Sequence, residues 1–454
     1  MLKKNHRGVG NSGKGAAARD AGVNFGPTPP TYPSSMQSPK ILIIAGEASG
    51  DGHAALVVAA LKEIIPQAEF VGIGGEALAA QGVRLLCHAA DLAVVGLLEV
   101  VNHIPSVCRA FRDIGRVLKR ERPALVILVD FPDFNFWVAR MAKFHGVPVM
   151  YYISPQVWAW RTYRVRTIAR LVDRMVVIFP FEADFYRERG VPVEYAGHPL
   201  RETLPALPDR KEFLERWGLD PERLTIALLP GSRAGEIKLH LPLMLAGAEI
   251  IHKSIPACQF ILPLASTVPE DLVGKILGER IAGFSEPVAG LRKSITTENR
   301  KQKTENPKSP GPSLKIIPGQ SYEALAAAHL AVVASGTATV EAALAATPTI
   351  IVYRVSRLTF AAARLLVRVP HAGMANLLAG ERMFPELLQD FFTPEFLARE
   401  ALAWIRNPGR LEKLRHGLTR VITRLGGPGA SRRAAQVAVE LIKERQTLHQ
   451  FANL

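Results

Sequence analysis

Short, continuously apolar segments alternate with segments of helical periodicity along most of the chain, and no other feature limits its fold as strongly. In the first part of the sequence the helical patterns cover residues 104–120, 136–145 and 181–189, and the apolar segments around them read KILIIAG, FVGIGG, ALVILVD, VPVMYY and RMVVIF. Strands that are apolar on both faces occur in parallel sheets with helices on both sides. We therefore expect a doubly wound α/β domain.

A second series of the same kind follows a proline-rich connection, GHPLRETLPALPDR. Its apolar segments read LTIALL, QFILPL, LKIIP, LAVVASG and TIIVY. Two doubly wound halves leave a cleft between the carboxyl ends of their sheets. A chain of 454 residues is long enough for two such domains. We predict them at 39–200 and 201–425, with a helical carboxyl-terminal segment at 426–454.

Two segments do not follow the alternation. Residues 1–38 are rich in Gly, Ser and Pro, and residues 291–313 read LRKSITTENRKQKTENPKSPGPS. Both contain few large apolar side chains and therefore cannot form a core. We expect a disordered basic leader and a disordered surface insertion within the second half.

The net charge of +15 first suggests an anionic partner such as nucleic acid. However, residues 1–39 and 291–315 together carry nine of these excess positive charges. The rest of the chain has an ordinary positive excess for its size. We therefore expect no nucleic acid as a partner.

The cysteines give no sign of a metal or disulfide site. Cys87, Cys108 and Cys258 are far apart and have no CxxC spacing. They indicate neither a disulfide framework nor a zinc cluster, and they fit a reducing compartment. The sequence also lacks a DxD element and a His/Cys cluster with ligand spacing, so we expect no metal and no cofactor.

No segment predicts a membrane-spanning helix, because the most apolar region, 325–353, is interrupted by polar residues and a proline. Two stretches, 151–174 and 354–371, mix aromatic and aliphatic residues with arginines at helical spacing, and 92–101 reads LAVVGLLEVV. Basic amphipathic sequences dock on anionic membrane surfaces. Buried interdomain helices explain the same pattern, and both interpretations stay open.

The first strand leads into a loop of small residues, AGEASGDGH, which opens the first helix. Small residues let a ligand approach the backbone, but Glu47 and Asp51 would repel a phosphate. Carboxylates accept hydrogen bonds from sugar hydroxyls, so we predict acceptor-side contacts from Glu47, Ser49, Gly50 and Asp51. An ordinary turn with Ser49 or Asp51 as the helix N-cap is the alternative.

Two loops of the second half are suited to an anion. In LLPGSRAGEI, Ser232 and backbone amides can hold phosphate oxygens while the Arg233 guanidinium supplies a planar charged fork. The other loop, ASGTATVEAAL, offers donors at a helix start and a carboxylate suited to ribose, on Ser335, Gly336, Thr337, Thr339 and Glu341. Two such loops in one half predict a nucleoside diphosphate, whereas a helix cap explains each loop alone.

A buried strand ends in two carboxylates in the segment ALVILVDFPDFNF. A carboxylate at the carboxyl end of a strand faces the cleft and can take a proton from a substrate hydroxyl. Asp133 can instead cap the helix that begins near Phe134. We therefore predict Asp130 as the general base.

Together these segments resemble the lipid-A-disaccharide synthase family of glycosyltransferases, from about residue 40 to residue 438. The resemblance rests on motifs in the same order along the chain: AGEASGD, FVGIGG, DLAVVGLLEV, DFPDFN, YYISPQVWAWR, FPFE, GHPL, LPGSR, ASGTATVE and NLLAGERMFPELLQ. So many collinear motifs are specific, although no single one is. The leader, the insertion and GDGHAA in place of a commoner GDxxGA depart from the family pattern.

The resemblance implies a GT-B fold, in which two Rossmann-like halves hold a UDP-sugar in the cleft. It implies UDP-2,3-diacylglucosamine as the donor and 2,3-diacylglucosamine 1-phosphate (lipid X) as the acceptor. The product is then the β-1,6-linked lipid A disaccharide 1-phosphate, formed with inversion and release of UDP. Asp130 would be the base, Arg233 would bind the donor diphosphate, and Asn376 would lie along the UDP site.

The resemblance further implies peripheral association with the cytoplasmic face of the inner membrane. It also implies a homodimer that exchanges carboxyl-terminal segments, so that 426–454 packs either on its own chain or on a partner. Two other activities use the same architecture, those of UDP-N-acetylglucosamine 2-epimerases and of peptidoglycan-type glycosyltransferases. Neither accounts for the apolar segment VVGLLEVV or for YYISPQVWAWR.

Overall fold

The computed structural model describes residues 38–92, 100–265, 267–278, 312–357, 359–361, 367 and 369–452. The predicted leader lies outside these residues except for Ser38. The predicted insertion lies outside them except for its last two residues, and Ser313 already begins a strand. Most of the apolar segment 92–101 also lies outside the described residues.

The first half forms, in the described residues, a sheet of seven parallel strands. In chain order these are β1 Lys40–Ala45, β2 Glu69–Gly74, β3 Arg84–His88, β4 Leu125–Val129, β5 Val149–Tyr152, β6 Arg174–Val177 and β7 Val193–Tyr195. The helices between them are α1 Ala48–Ile64, α2 Glu76–Ala80, α3 Val100–Arg116, α4 Pro132–Phe144, α5 Val165–Leu171 and α6 Pro180–Arg187. α3 continues into a π-helical turn at Val117–Glu121, and short 3-10 turns lie at Ala89–Asp91 and Thr162–Arg164.

The second half forms a sheet of six parallel strands within the same described residues. They are β8 Leu224–Leu229, β9 Cys258–Leu264, β10 Ser313–Pro318, β11 Leu330–Ala334, β12 Thr349–Tyr353 and β13 Glu386–Leu388. The helices are α7 Leu200–Thr203, α8 Arg210–Arg216, α9 Ala234–Ser254, α10 Glu270–Gly278, α11 Ser321–Ala327, α12 Ala338–Leu344, α13 Met374–Ala379, α14 Pro394–Ile405, α15 Pro408–Arg424 and α16 Ala430–Ala452, with a 3-10 turn at Gln389–Phe391.

The first six strands of each half are arranged in the same order, and the first half adds a seventh strand at one edge. The first sheet reads β3-β2-β1-β4-β5-β6-β7 and the second reads β10-β9-β8-β11-β12-β13. The order reverses between β1 and β4 and between β8 and β11, and such a reversal leaves a crevice at the carboxyl ends of the strands. The four loops that follow these four strands therefore delimit the candidate site.

The strands predicted from continuous apolar segments are confirmed. Every residue of β4 is buried, as is all of β5, because helices cover both faces of the sheet. Three strands were missed: β3, β7 and β13. All three lie at sheet edges and are only partly buried, so their sequences lack a continuous apolar segment.

The chain crosses between the halves twice, and the two crossings are hydrogen-bonded to each other. The backbone N–H of His198 donates to the Leu425 carbonyl at 3.0 Å, and the Arg433 guanidinium donates to the Ala196 carbonyl at 2.7 Å. After the second crossing, α16 packs against α1, β4 and β6. The carboxyl-terminal helix thus covers the first half of its own chain, and its exchange in a dimer stays a prediction.

Candidate active site

The chain turns sharply at Asp130 and Phe131, where β4 ends. Both residues have a left-handed backbone, with φ angles of 45° and 48°. This conformation is uncommon for residues other than glycine, and where it occurs it concentrates at functional sites. α4 begins at Pro132, whose fixed φ angle suits the first position of a helix.

The carboxyl group of Asp130 has the properties of a general base. Burial raises its pKa to about 6, and the negative charge of Glu47 adds to this effect. The Phe131 amide, which donates to the carboxylate, and the positive charge of Arg233 act in the opposite direction. A carboxyl with this pKa is ionised at neutral pH and is more basic than an exposed aspartate.

The loop after β1 contributes Glu47 to the same cluster. Glu47 is the N-cap residue of α1, and about half of its side chain is exposed. Ser49 is exposed in the first turn of the helix, and Gly50 is buried next to Val129. The alternative of an N-cap at Ser49 or Asp51 is wrong, because the helix has already begun at both positions.

The carboxylate of Asp51 is already occupied by protein groups. It accepts hydrogen bonds from the backbone amides of Gly75, Ala77 and Leu78 at 2.6, 2.9 and 3.3 Å, and the residue is only 6% exposed. These amides lie at the amino terminus of α2, where a negative charge is stabilising. Asp51 thus caps a neighbouring helix, and its contact with an acceptor stays a prediction.

The side chain of Phe131 joins the loops after β1 and β4. Its ring lies directly over Gly46, where a Cβ atom would overlap the ring, and it stacks on Phe134 with the ring centroids 5.3 Å apart. Glycine at position 46 is therefore required for this contact. The contact fixes Glu47 and Asp130, which adjoin these two residues, relative to each other.

The loop after β8 brings Arg233 to the opposite side of the cleft. Arg233 is the N-cap residue of α9, and its guanidinium lies 3.9 Å from the Glu47 carboxylate. Glu236 accepts hydrogen bonds from the backbone amides of Ser232 and Arg233 at 3.1 and 3.3 Å. These two amides are therefore engaged within the loop, and their contact with phosphate oxygens stays a prediction. The exposed side chains of Ser232 and Arg233 are the groups that remain for an anion.

The loop after β11 exposes only part of the predicted donor set. Gly336 and Thr337 are exposed where α12 begins. Ser335 donates through its hydroxyl to the Ala372 carbonyl at 2.7 Å, and the buried Thr339 donates to the Gly336 carbonyl at 2.7 Å. Gly336 and Thr337 are thus the parts of this loop that a ligand reaches most readily.

Glu341 and Asn376, also predicted for the donor side, are largely enclosed. Burial raises the pKa of Glu341, and a hydrogen bond from Ser321 opposes the shift. Asn376 is fully buried and makes three hydrogen bonds of 2.8–2.9 Å, two with the backbone of Phe384 and one with the Glu386 carboxylate. Its side chain holds the segment after α13, so its contact with a ligand stays a prediction.

The second carboxylate of DFPDFN differs from the first. Asp133 lies in the first turn of α4, is exposed, and pairs with Arg164 at 2.7 Å and Arg161 at 3.7 Å. The N-cap residue of α4 is Phe131, so the alternative that Asp133 caps this helix is wrong. Because the Asp133 carboxylate is paired with two guanidinium groups, Asp130 remains the candidate base.

Sequence reasoning missed two buried residues that hold the turn after β4. Asn135 Nδ2 and the Tyr151 hydroxyl both donate to the carbonyl oxygen of Asp130, each at 2.6 Å. Both residues are fully buried. Two signals in the sequence could have found them. Asn135 is a polar residue on the buried face of a predicted helix, and Tyr151 is a tyrosine at the end of a buried strand.

Two further buried polar residues were missed. Burial raises the pKa of Glu182 to about 8, although the Phe179 amide and the Trp158 indole donate to it. His240 accepts from the Arg354 amide at 3.0 Å through Nε2, and its Nδ1 lies 2.7 Å from the Pro230 carbonyl. This histidine therefore ties the loop after β8 to the segment after β12.

Aromatic and basic side chains, all exposed except the partly buried Arg161, lie on α4 and on the segment before α5. We call them the aromatic–arginine face: Trp137, Arg140, Phe144, Trp160, Arg161 and Tyr163. Phe144 and Tyr163 are 86% and 71% exposed, and Arg140 lies over the Trp137 ring at 4.9 Å. The ion pairs of Asp133 join the helix to the segment before α5.

Of the two basic amphipathic stretches predicted from the sequence, the structure describes only the first in full, and it is not one continuous helix. In 151–174, Tyr151 and Tyr152 are buried in β5, and the α-helix covers only Val165–Leu171. In 354–371, several residues lie outside the described part of the chain. None of the helices that the structure describes is long and apolar enough to cross a membrane.

The described residues also form no recognisable metal site. Among the described residues, no group of three or more His, Cys, Asp or Glu side chains is arranged to hold a metal ion. The positive charge described at the cleft comes from the Arg233 side chain. The prediction that no metal is needed stays open to experiment.

Comparison with known proteins identifies the family. A sequence model of the lipid-A-disaccharide synthetase family matches residues 41–288 and 275–441. The chain belongs to this family. The lipid-A-disaccharide synthase of Syntrophus aciditrophicus is 43% identical over 409 residues, which cover 90% of this chain and 99% of that protein. The lipid-A-disaccharide synthase of Myxococcus xanthus is 43% identical over 406 residues, which cover 89% and 98%. This member of the synthetase family is therefore an enzyme, a glycosyltransferase.

Solved structures share the fold of this synthetase at low sequence identity. The UDP-GlcNAc 2-epimerase from Neisseria meningitidis bound to UDP-GlcNAc matches with a TM-score of 0.54 and 13% identity, over 89% of this chain and 100% of that chain. The calicheamicin glycosyltransferase CalG4 matches with a TM-score of 0.53 and 13% identity, over 90% and 99%. These likenesses concern the fold alone, and they confirm the predicted GT-B architecture.

Proposed function

We propose that the enzyme condenses UDP-2,3-diacylglucosamine with 2,3-diacylglucosamine 1-phosphate to form the β-1,6-linked lipid A disaccharide 1-phosphate and UDP. The observation that carries the proposal is the cluster of Asp130, Glu47 and Arg233 at the switch points of the two halves. The reaction requires a base, a group that accepts hydrogen bonds from sugar hydroxyls, and a positive group that binds the diphosphate. Asp130, Glu47 and Arg233 are suited to these three roles in that order. The names of the relatives support the identity of the product.

The reaction is a displacement at the anomeric carbon of the donor. The 6-hydroxyl oxygen of the acceptor attacks this carbon from the face opposite UDP, and Asp130 takes the hydroxyl proton as the new bond forms. The bond from the anomeric carbon to the phosphate oxygen breaks, and its electron pair leaves with UDP. Attack from the opposite face inverts the configuration and yields the β linkage.

Groups of the second half neutralise the leaving diphosphate. Arg233 supplies a charged fork, and the side chains of Ser232 and Thr337 add donors. Because these groups belong to the protein, turnover in the presence of EDTA should equal turnover without it. A loss that Mg²⁺ or Mn²⁺ restores would show that a metal takes part in neutralising the diphosphate.

The role of Asp130 is tested with Asp130→Asn and the matched variant Asp133→Asn. Asparagine is almost the same size as aspartate and tolerates the left-handed backbone, so the first variant should fold and bind UDP. Without a proton acceptor, formation of the disaccharide should fall about 10²–10⁴-fold. Asp133→Asn should stay close to wild type, since this carboxylate is exposed and paired with arginines.

Mass spectrometry of the lipid product separates the proposal from its rivals. The acylated pair of substrates should give a disaccharide 1-phosphate. Epimerised UDP-sugar without a disaccharide would favour a 2-epimerase, and transfer from UDP-N-acetylglucosamine would favour a peptidoglycan-type enzyme. Wild-type turnover in Asp130→Asn would leave the reaction in place but assign the base elsewhere.

We further propose that the enzyme works on the cytoplasmic face of the inner membrane, to which it binds peripherally. Its proposed substrates carry acyl chains and therefore reside in a bilayer. The aromatic–arginine face supports this proposal, because amphipathic rings suit the membrane–water interface and arginines attract anionic headgroups. The first residue of this face, Trp137, lies seven residues after Asp130, in the second turn of α4.

A further inference from the structure

The turn that presents Asp130 has to be held in place by its surroundings. Asp130 and Phe131 are two consecutive residues with a left-handed backbone, and neither is glycine. A non-glycine residue leaves this conformation for the ordinary regions unless other contacts determine it. The groups that bind the peptide unit between these two residues are therefore candidates for control of the Asp130 carboxyl position.

One carbonyl oxygen receives two short hydrogen bonds from different elements. Asn135 Nδ2, on the first turns of α4, donates to the Asp130 carbonyl at 2.6 Å and also reaches the Val129 carbonyl at 3.3 Å. The Tyr151 hydroxyl, on the neighbouring strand β5, donates to the same Asp130 carbonyl at 2.6 Å. Neither side chain is exposed to solvent, so water cannot replace either bond.

The two donors keep their protons under the conditions of catalysis. Burial raises the pKa of the Tyr151 hydroxyl well above its ordinary value, and the negative charge of Asp130 adds to the shift. The asparagine amide does not titrate. Both hydrogen bonds are thus present on either side of the Asp130 titration.

We propose that Tyr151 and Asn135 are positioning residues for the reaction: they clamp the peptide between Asp130 and Phe131, so that the Asp130 carboxyl meets the acceptor hydroxyl in a reactive geometry. The proposal rests on the proposed role of Asp130 as the base. Neither residue touches the reacting atoms. Their effect is on the orientation of the group that does.

The chain offers a matched control for Tyr151. Tyr186 is also fully buried in the first half, and its hydroxyl makes one short hydrogen bond, to Ser154 Oγ at 2.7 Å. Tyr151→Phe and Tyr186→Phe therefore each remove one buried hydroxyl together with its short hydrogen bond. Only the first change loosens the turn at Asp130.

The test compares kcat, donor KM, thermal unfolding and the pH profile of the two variants in the full chain. Tyr151→Phe should lower kcat about tenfold or more, because small errors in the position of a catalytic group are costly, and should leave donor KM within about twofold. The acid limb of its pH–rate profile should move to lower pH, because a looser turn exposes the Asp130 carboxyl to water and so lowers its pKa. Tyr186→Phe should match wild type in kcat and in the acid limb, although its unfolding temperature falls by a similar amount. Asn135→Leu, which keeps the number and branching of the side-chain heavy atoms, should behave as Tyr151→Phe does.

A double-mutant cycle separates this inference from the proposal that it rests on. Single-turnover assays with excess enzyme and labelled donor measure the residual rate of Asp130→Asn. If Tyr151 acts through Asp130, adding Tyr151→Phe to Asp130→Asn should change that rate less than twofold.

A further loss of about tenfold would mean a general structural role and would overturn the inference. A Tyr151→Phe variant that is as active as Tyr186→Phe would also overturn the inference, but it would leave the assignment of Asp130 as the base intact. A wild-type rate in Asp130→Asn would instead remove the base, and the inference with it.

Discussion

Asp130 is a half-buried carboxyl between a like charge and an opposite charge, and this environment makes its protonation state adjustable. Burial and Glu47 raise its pKa to about 6, while the Phe131 amide and Arg233 oppose the shift. As the base it must be ionised. Activity should therefore be low below pH 6, rise through that region and level off above it.

The effect of the Glu47 charge on the pKa of Asp130 can be tested from the dependence of activity on pH. Glu47→Gln removes the negative charge that raises the pKa of Asp130, so the acid limb of kcat/KM should move to lower pH. Asp133→Asn is the control, because its carboxylate is exposed and paired with Arg164. A limb that stays in place in Glu47→Gln, or that moves equally in Asp133→Asn, would show that the titrating group is not Asp130.

At the residue scale, the charged members of the site were predictable and their neighbours were not. Asp130 and Arg233 follow buried strands, and the carboxyl ends of parallel strands face the cleft. The hydrogen bonds that engage Asp51 and Asn376 come from residues up to 27 positions away in the chain. Spacing in the sequence cannot show which polar groups are already used by such partners.

At the scale of elements, the short helix α2 is capped by a residue of another helix. α2 is only five residues long, and its amino-terminal amides bond to Asp51 of α1. A short helix has little stability of its own. The Asp51 carboxylate thus joins the amino terminus of α2 to α1.

Asp51→Ala should therefore act on stability and not on chemistry. Loss of a buried, charge-assisted cap should lower the free energy of unfolding by about 1–3 kcal/mol. Donor and acceptor KM should remain close to wild type at temperatures where the variant is folded. Denaturant unfolding and initial rates measure the two effects.

Ser49→Ala is the control for this change, since Ser49 is exposed in the same turn. Its free energy of unfolding should stay within about 0.5 kcal/mol of wild type. If Asp51→Ala instead raises acceptor KM strongly without loss of stability, its carboxylate contacts the acceptor as the sequence predicted.

Elements of the sheet interior were predicted, whereas those of the edges were not. β1, β4 and β8 are continuous apolar segments because they are covered on both faces. The edge strand β7 has only three residues, VEY, which reach partial burial. An edge strand needs no apolar continuity, so its sequence does not distinguish it from a loop.

At the scale of the whole molecule, the aromatic–arginine face should control binding to a membrane. Serine at Trp137, Phe144 and Tyr163 should reduce binding to vesicles of phosphatidylethanolamine and phosphatidylglycerol. Turnover of acylated substrates in these vesicles should fall in parallel. Binding of the unchanged protein should also weaken as salt rises, since charges are screened within about 10 Å at 0.1 M. Co-sedimentation with the vesicles measures both.

Two controls are needed for this experiment. A chain that begins at Met36 removes the basic leader, which by its charge alone could bind anionic lipid. Serine at Leu207 and Phe391 removes exposed apolar side chains of the second half, which are 53% and 66% exposed. If the triple variant binds vesicles as well as this control does, the aromatic–arginine face has another partner, and sedimentation would test a second copy of the chain.

The repeated strand order has a consequence for the polarity of the cleft. Glu47 and Arg233 occupy equivalent places in a pseudo-symmetric molecule, as each is the N-cap of the helix that follows the first strand of its half. The two positions meet across the cleft at 3.9 Å with opposite charge. Equivalent places in the two halves thus give the two sides of the cleft opposite charges. A substrate with a diphosphate at one end and neutral hydroxyls at the other meets matching charges in one orientation and repulsion in the reverse.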